Sequence, residues 1–264
     1  MRWISGIILS FFVVGIVLFA PIWACQIFFL FLAMFSTFEM IDMINPHEHL
    51  SLKIAQIFLT GFGVSVFAFF FNTHNLVSFL FLVLASAMIL QMFRDTVALE
   101  IRLQRAKSFV FTIIYLSLPF GLLTLLFEET HYQFWVFLTL ASTFFSDTFA
   151  FLIGVFFGKN KLAPKLSPKK TVEGLFGGFA GGIFAALAVQ MIFWPEFPTV
   201  LTLMIGFFIA LFTALGDLSE SLIKRGVGIK DSGTLIPGHG GLLDRVDGLL
   251  FSAPFVYLIS FYYR

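Results

Sequence analysis

The sequence predicts an all-α, polytopic integral membrane protein, with about nine transmembrane helices in one bundle. Three observations carry that reading. The 264 residues are 59% hydrophobic and 12% charged, whereas a soluble domain carries about 25% charged residues. Forty phenylalanines are hard to bury in a water-soluble core of this size, while lipid imposes no cost on an apolar outer surface. The apolar residues also gather in runs of about 20, the length a helix needs to cross roughly 30 Å of hydrocarbon.

Taken in order, the runs are 3–20, 22–39, 52–71, 76–93, 109–127, 134–157, 174–193, 199–222 and 243–262. Little more than Pro21 separates the first two, so whether this hairpin fully spans twice stays open. The first run is not read as a signal peptide, because Leu18 and Pro21 spoil a small-residue cleavage pattern around Ala20. The one cysteine, Cys25, lies inside an apolar run and reads as helix filler, with no disulfide framework and no cysteine metal site. Segment 94–108 mixes apolar and charged residues at roughly helical spacing; it is expected to lie along the membrane interface or to be a solvated linker. The chain reads as a single membrane domain, with a helical part over 1–130 and the motifs over 131–264.

Charge fixes the expected orientation. Alternating the sides from the N-terminus puts Arg2, Lys53, Arg94, Arg102, Arg105, Lys107, Lys159, Lys161, Lys165, Lys169, Lys170, Lys224, Arg225, Lys230 and Arg245 on one side. The other side receives only Arg264. Cytoplasmic loops collect Lys and Arg, so the basic side is expected to be cytoplasmic. The two longest C-terminal loops lie there.

Polar residues concentrate in the second half. Asp147 falls inside the sixth run, where a carboxylate is costly and usually faces a cavity or partner. Glu39, at the end of the second run, reads as a simple interfacial residue. The loop GKNKLAPKLSPKKTVEG (158–174) is held extended by Pro164 and Pro168. Its five lysines serve to mark the cytoplasmic face or to bind anionic lipid. Ser167 and Thr171 beside Lys169 and Lys170 also suit phosphate oxygens. Glycines 174, 177, 178, 181 and 182 form a close-packing helix face and are assigned structure.

Residues 216–248 are the densest in chemistry. Asp217, Glu220, Ser221 and Lys224 share one helix face, and Asp244 and Asp247 are three apart. Between them a glycine-rich run lets backbone approach a ligand, and it carries Arg225, Lys230, Asp231, His239 and Arg245 nearby. Carboxylates with basic groups at a membrane boundary suit a nucleotide triphosphate and its magnesium.

The stretch SLIKRGVGIKDSGTLIPGHGGLLDRVD (221–247) closely resembles the signature of phosphatidate cytidylyltransferases, also called CDP-diacylglycerol synthases. GDLSES (216–221), the lysine loop and SDTFAFLIG (146–154) are similar to further motifs of that family. Phe149 stands where members often have Gly. The resemblance covers about residues 146–254.

It implies an enzyme that transfers the CMP moiety of CTP to phosphatidate, giving CDP-diacylglycerol and pyrophosphate for phospholipid biosynthesis. It further implies Mg²⁺, with a second metal ion left open, and a bacterial-type inner or plasma membrane with the active site facing the cytoplasm. Asp217 and Asp244 are expected as metal ligands with Asp247 close behind. Lys224, Arg225, Lys230 and Arg245 are expected on phosphates, and Asp231 and His239 on the loop or nucleotide. Asp147 and Lys170 would support the site, with Ser167, Lys169, Thr171 and Ser221 beside the substrate. The partners expected are CTP, phosphatidate and the bilayer, without nucleic acid; a homodimer is left open. Another membrane lipid-phosphate transferase or CTP-dependent lipid kinase, or an ion-coupled transporter, are the alternatives.

Overall fold

Apolar runs that must satisfy every backbone group internally fold here as long helices. The computed structural model describes residues 13–70, 73–92, 97–233 and 240–263, with the side chains of residues 69, 70, 73 and 74 set aside. Residues 13–19 are helical. There follow α1 (Ile22–Ile44), α2 (Leu50–Phe70), α3 (Thr73–Met92), α4 (Leu99–Leu125), a 3₁₀ turn (Leu126–Glu128) and α5 (Tyr132–Phe157). Strands β1 (Lys161–Ala163) and β2 (Ser167–Thr171) precede α6 (Val172–Phe193), α7 (Thr199–Gly226) and α8 (Leu243–Phe261). Among the described residues the fold is all-α apart from that antiparallel hairpin.

Among the described residues, seven helices, α1 to α7, are long and apolar enough to cross a membrane. The expected nine are not reached. The run 3–20 falls mostly on residues outside those described. The run 243–262 folds as α8, 19 residues long, whose first five include Asp244, Arg245 and Asp247, and it is not among the seven. A second correction concerns 94–108. Residues 99–108 are not a separate interfacial segment or linker but the start of the 27-residue α4. Leu, Glu, Arg, Gln, Ala and Lys are strong helix formers, and no glycine or proline interrupts them before Pro119.

The chain divides into two compact units. One comprises Met1–Leu125 and Ser232–Leu243; the other comprises Leu126–Asp231 and Asp244–Arg264. In the first, α2 packs on α1 and α4, and α3 lies on α4 through Phe79, Val83, Ala87, Phe109 and Ile113. The α1–α2 turn is tied by the Lys53–Asp42 ion pair, and Glu48 takes Arg105 of α4 at 3.5 Å.

In the second unit, α6 lies along α5 on its glycine face. A Cβ at Gly177 would come 2.6 Å from Ile153, and one at Gly181 would come 2.6 Å from the Phe145 carbonyl oxygen. Gly182 meets Gly206 and Ala210 of α7 the same way. The structural role assigned to these glycines therefore holds. At one end of the unit, where α5 and α7 begin and α6 ends, His131 stacks on Trp194 at 4.0 Å, beside Phe134, Trp135 and Phe197. Gln190 closes the α6–α7 turn by donating to the Phe197 carbonyl at 2.5 Å. Antiparallel continuation then brings the C-terminal ends of α5 and α7 and the N-terminal end of α6 together at the opposite end.

Candidate active site

That opposite end collects the charged side chains. The β-hairpin turns back on itself through Ala163–Ser167 pairing and runs directly into α6. Thr171 is the N-cap: its buried Oγ1 accepts from Gly174 N at 3.1 Å, satisfying one of the first-turn donors. Glu173, one residue further on than Val172, reaches back to the backbone N–H groups of Lys159 and Asn160 and to the Asn160 amide. The hairpin is thus fixed at its base. Its outer strand then delivers Lys170, whose Nζ lies 2.5 Å from Asp217 Oδ2 on α7.

On α7 the i, i+3, i+4, i+7 face is assembled as the spacing requires. Ser221 Oγ donates to Asp217 Oδ1 at 3.5 Å. Lys224 Nζ lies 3.2 Å from Glu220 Oε1 and 2.5 Å from Asp244 Oδ1, at the start of α8. Glu220 is completely buried, with the Lys224 ammonium at its Oε1 and Asp247 beside it. Asp247, also buried, faces Glu220, and its Oδ1 accepts from Gly248 N at 2.7 Å. Asp147 of α5 is accessible, with Asp247, Asp217, Lys170 and Arg245 as its charged neighbours.

The helices can converge this tightly because of what lies beneath. A Cβ on Gly216 would collide with the Asp247 carbonyl, so α7 and α8 touch backbone to backbone. Gly248 likewise leaves room for Thr213, 2.7 Å from where its Cβ would be. Thr143, Thr213 and Ser252 form a buried hydroxyl chain there, with Thr143 Oγ1 at 2.9 Å from Ser252 and 3.5 Å from Thr213. Five carboxylates (Asp147, Asp217, Glu220, Asp244 and Asp247) therefore share one neighbourhood with Lys170, Lys224 and Arg245.

Not every expected residue joins them. Arg225 is exposed and donates to the carbonyls of Leu166 and Ile229, tying the hairpin tip to the turn after α7. Lys169 points outward on β2, Ser167 is half-buried opposite Ala163, and Lys230 and Asp231 are exposed on the turn. Thr171 has its hydroxyl committed to the cap. His239 lies outside the described residues. Glu220 was visible in the sequence pattern as part of the Asp217 face but carried no assigned role. Glu39, read as an interfacial residue, is instead 5% exposed and hydrogen-bonded to Ser232, Leu242 and Leu243. Nothing local in the sequence links positions so far apart.

Magnesium takes oxygen ligands and is usually held by one or two carboxylates plus substrate phosphates. Among the described residues no three acidic, histidine or cysteine side chains form a ready-made metal group. The donor set nevertheless fits: the ligands are hard oxygens, and the buried Glu220 carboxylate still has acceptor capacity beside Asp247.

The cluster lies on helices of a polytopic membrane protein, and its cations beside carboxylates are of a kind that suits phosphate oxygens. Comparison with known proteins narrows the class. The Cytidylyltransferase family profile matches residues 1–263, and the chain belongs to that family. It is 44% identical over 114 residues to the phosphatidate cytidylyltransferase of Bacillus subtilis (strain 168), covering 43% of this chain and 42% of that protein. It is 41% identical over 133 residues to the Thermotoga maritima phosphatidate cytidylyltransferase, covering 46% of this chain and 47% of the relative. The Staphylococcus aureus (strain COL) protein of the same name is 42% identical over 136 residues, half of each chain. The matched region spans about half the length of these relatives.

Proposed function

We propose that this protein transfers the CMP moiety of CTP to phosphatidate, forming CDP-diacylglycerol and releasing pyrophosphate. The observation that carries the reading is the joining of Lys170 to Asp217 and of Lys224 to Glu220 and Asp244 at one end of the second unit. Cations held by carboxylates in a half-buried cluster can exchange those partners for phosphate oxygens without moving far. Relatives named phosphatidate cytidylyltransferase support the choice of substrates.

The reaction balances simply. A phosphatidate phosphate oxygen bonds to the α-phosphorus of CTP, the α–β bridging bond breaks, and pyrophosphate leaves with the electron pair. The attacking oxygen is already anionic at neutral pH, so no general base is required. What the protein must supply is positioning of two polyanions and neutral surroundings for the charge that develops. Lys170 and Lys224 fit the phosphates of nucleotide and lipid, with Arg245 beside Asp147 as a third cation. Asp217 and Asp244, with Asp247 and Glu220 behind them, are the residues that would hold Mg²⁺. When bound, such an ion supplies charge neutralisation at the phosphates.

The concentration of Lys159, Lys161, Lys165, Lys169 and Lys170 with Lys224 and Arg225 at this end supports a cytoplasmic orientation, by the positive-inside rule. The test is release of pyrophosphate by the purified protein in Mg²⁺. It should require CTP and phosphatidate together, and release with CTP alone would remove the lipid acceptor from the reading. In whole cells, a Lys161→Cys probe in a Cys25→Ser background should resist impermeant maleimide, and labelling from outside would reverse the orientation.

A further inference from the structure

In the first unit an apolar groove of about 530 Å³ lies between α3 and α4, beside the core that the two helices share. That volume falls in the range of about 300–1,000 Å³ in which small-molecule ligands are held. Leu84 and Met88 of α3 and Leu103 and Phe111 of α4 form half-exposed rims, and Phe111 stacks on Tyr115 at 5.2 Å along one wall. Arg102 ties the helices at one end, donating to the carbonyls of Val97 at 2.7 Å and of Met92, the last residue of α3, at 3.4 Å. Among the described residues, Lys107 is the one charged side chain lining the groove.

Helix length sets the depth of that lysine. The 27 residues of α4 rise about 40 Å, whereas the hydrocarbon layer is roughly 30 Å thick and takes about 20 residues. Counting about 20 residues back from Leu125 reaches Ala106. Glu100, Arg102 and Arg105 therefore stand outside the apolar layer, and Lys107 stands at its edge. From Lys107 to Tyr115 the groove runs inward by about 12 Å, within the ~15 Å of one leaflet. Charges nearby are matched: Arg105 lies 3.5 Å from Glu48, and Lys53 pairs with Asp42. Lys107 is exposed and has no ion-pair partner among the described residues. Glu100, in the first turn of α4, stands about 10 Å further out along the axis.

A lysine at this depth reaches up among the headgroups of whatever lipid is near. What distinguishes Lys107 is the groove that starts beneath it, so that one molecule can set its phosphate on the ammonium and a hydrocarbon chain between the helices. Lipid tails are as apolar as the groove, so burial alone selects nothing there. Selection falls on charge, and a zwitterionic headgroup cancels what an anionic one offers. We infer that the α3–α4 groove is a binding site for an anionic glycerophospholipid of the bilayer, its headgroup phosphate on Lys107 and one acyl chain along Leu84, Met88 and Phe111. The site stands independently of the proposed nucleotide transfer.

Native mass spectrometry tests this on the full-length protein, delipidated in detergent and titrated with phosphatidylglycerol or phosphatidylcholine of the same acyl chains. Wild type should bind phosphatidylglycerol about fivefold more tightly, the factor one basic residue contributes at an anionic surface. Lys107→Gln should cut that preference below about twofold, and Lys107→Arg should keep it. Leu84→Trp fills the groove from a half-exposed position and should weaken both lipids at least fivefold. Melting temperatures within about 3 °C of wild type will show the variants folded, and the two Lys107 variants decide the matter if Leu84→Trp is not. Excess inorganic phosphate should displace neither lipid. Equal affinities in wild type, or an undiminished preference in Lys107→Gln, would overturn the site. So would loss of the preference in Lys165→Gln instead, which would assign it to the hairpin lysines. A dimer that forms without lipid and is broken by Leu84→Trp would give the groove to a second copy of the chain and likewise overturn the proposal.

Discussion

Lys224 is the cation on which the buried part of the cluster depends, and Lys224→Met shows by how much. The side chain is 11% exposed and lies between Glu220, fully buried, and Asp244, 12% exposed. At an effective dielectric of about 20, a pair at about 4 Å attracts by about 4 kcal/mol. Desolvation offsets much of this in the intact protein, but removing one partner leaves the other charges buried and unmatched, at a cost of about 3–5 kcal/mol. For a chain of this length 1 kcal/mol corresponds to about 2–4 °C, so the melting temperature should fall by about 6–20 °C. Methionine keeps the length and apolar stem of lysine, so the loss reports charge and not a cavity. Adding Glu220→Gln to that background removes one unmatched carboxylate and should recover part of the loss. Glu220→Gln alone should be milder than Lys224→Met, because it forfeits one of the two ion pairs of Lys224 and leaves the lysine its Asp244 partner. Thermal unfolding in detergent, followed by tryptophan fluorescence without Mg²⁺, reads all three variants. A Lys224→Met protein melting within about 3 °C of wild type would refute the electrostatic account.

Other substitutions separate chemistry from scaffold. Asp217→Asn and Asp244→Asn should each lower kcat at saturating CTP more than 100-fold while the protein still inserts, and Mg²⁺ should raise their melting temperatures less than it raises that of wild type. Lys170→Gln should cost under about 1 kcal/mol of stability, since its pair with Asp217 is partly solvated. The same change should lower kcat/KM more than tenfold, and Lys169→Gln should do less, which steady-state kinetics on both variants will show. Gly181→Leu should prevent correct packing of α6 on α5, because the Phe145 carbonyl and the Phe149 side chain occupy its space. Size-exclusion chromatography after mild extraction should then show aggregate, and a monodisperse, active variant would contradict the packing described.

Much of this was legible before the fold was known. Glycines at four-residue spacing announced a close-packing face on α6, because close approach is what glycine offers a lipid-embedded helix, but not that α5 and α7 would fill it. Periodicity put Asp217, Glu220, Ser221 and Lys224 on one face of α7, and they are found there. What the sequence could not show depends on chain crossings. Lys170 meets Asp217 because the hairpin folds back over α7, and no local pattern encodes that. Glu39 looked interfacial because its partners are backbone N–H groups of residues 242 and 243, which every sequence has and none advertises. The start of α4 was misjudged for a different reason. Charged residues at 100–107 suggested a surface segment, yet their helix propensity simply prolonged the membrane helix beyond its apolar run.

The central claim is that the chain moves CMP, not a terminal phosphate and not a solute. Its most direct test supplies purified protein, phosphatidate and Mg²⁺ with CTP labelled in parallel at the α- or the γ-phosphate, followed by lipid extraction. The α label should appear in the lipid phase in equal amount to pyrophosphate released, and the γ label should remain entirely in the aqueous phase as pyrophosphate. Recovery of γ label in the lipid would identify a kinase, and absence of both labels from the lipid would contradict the transferase account.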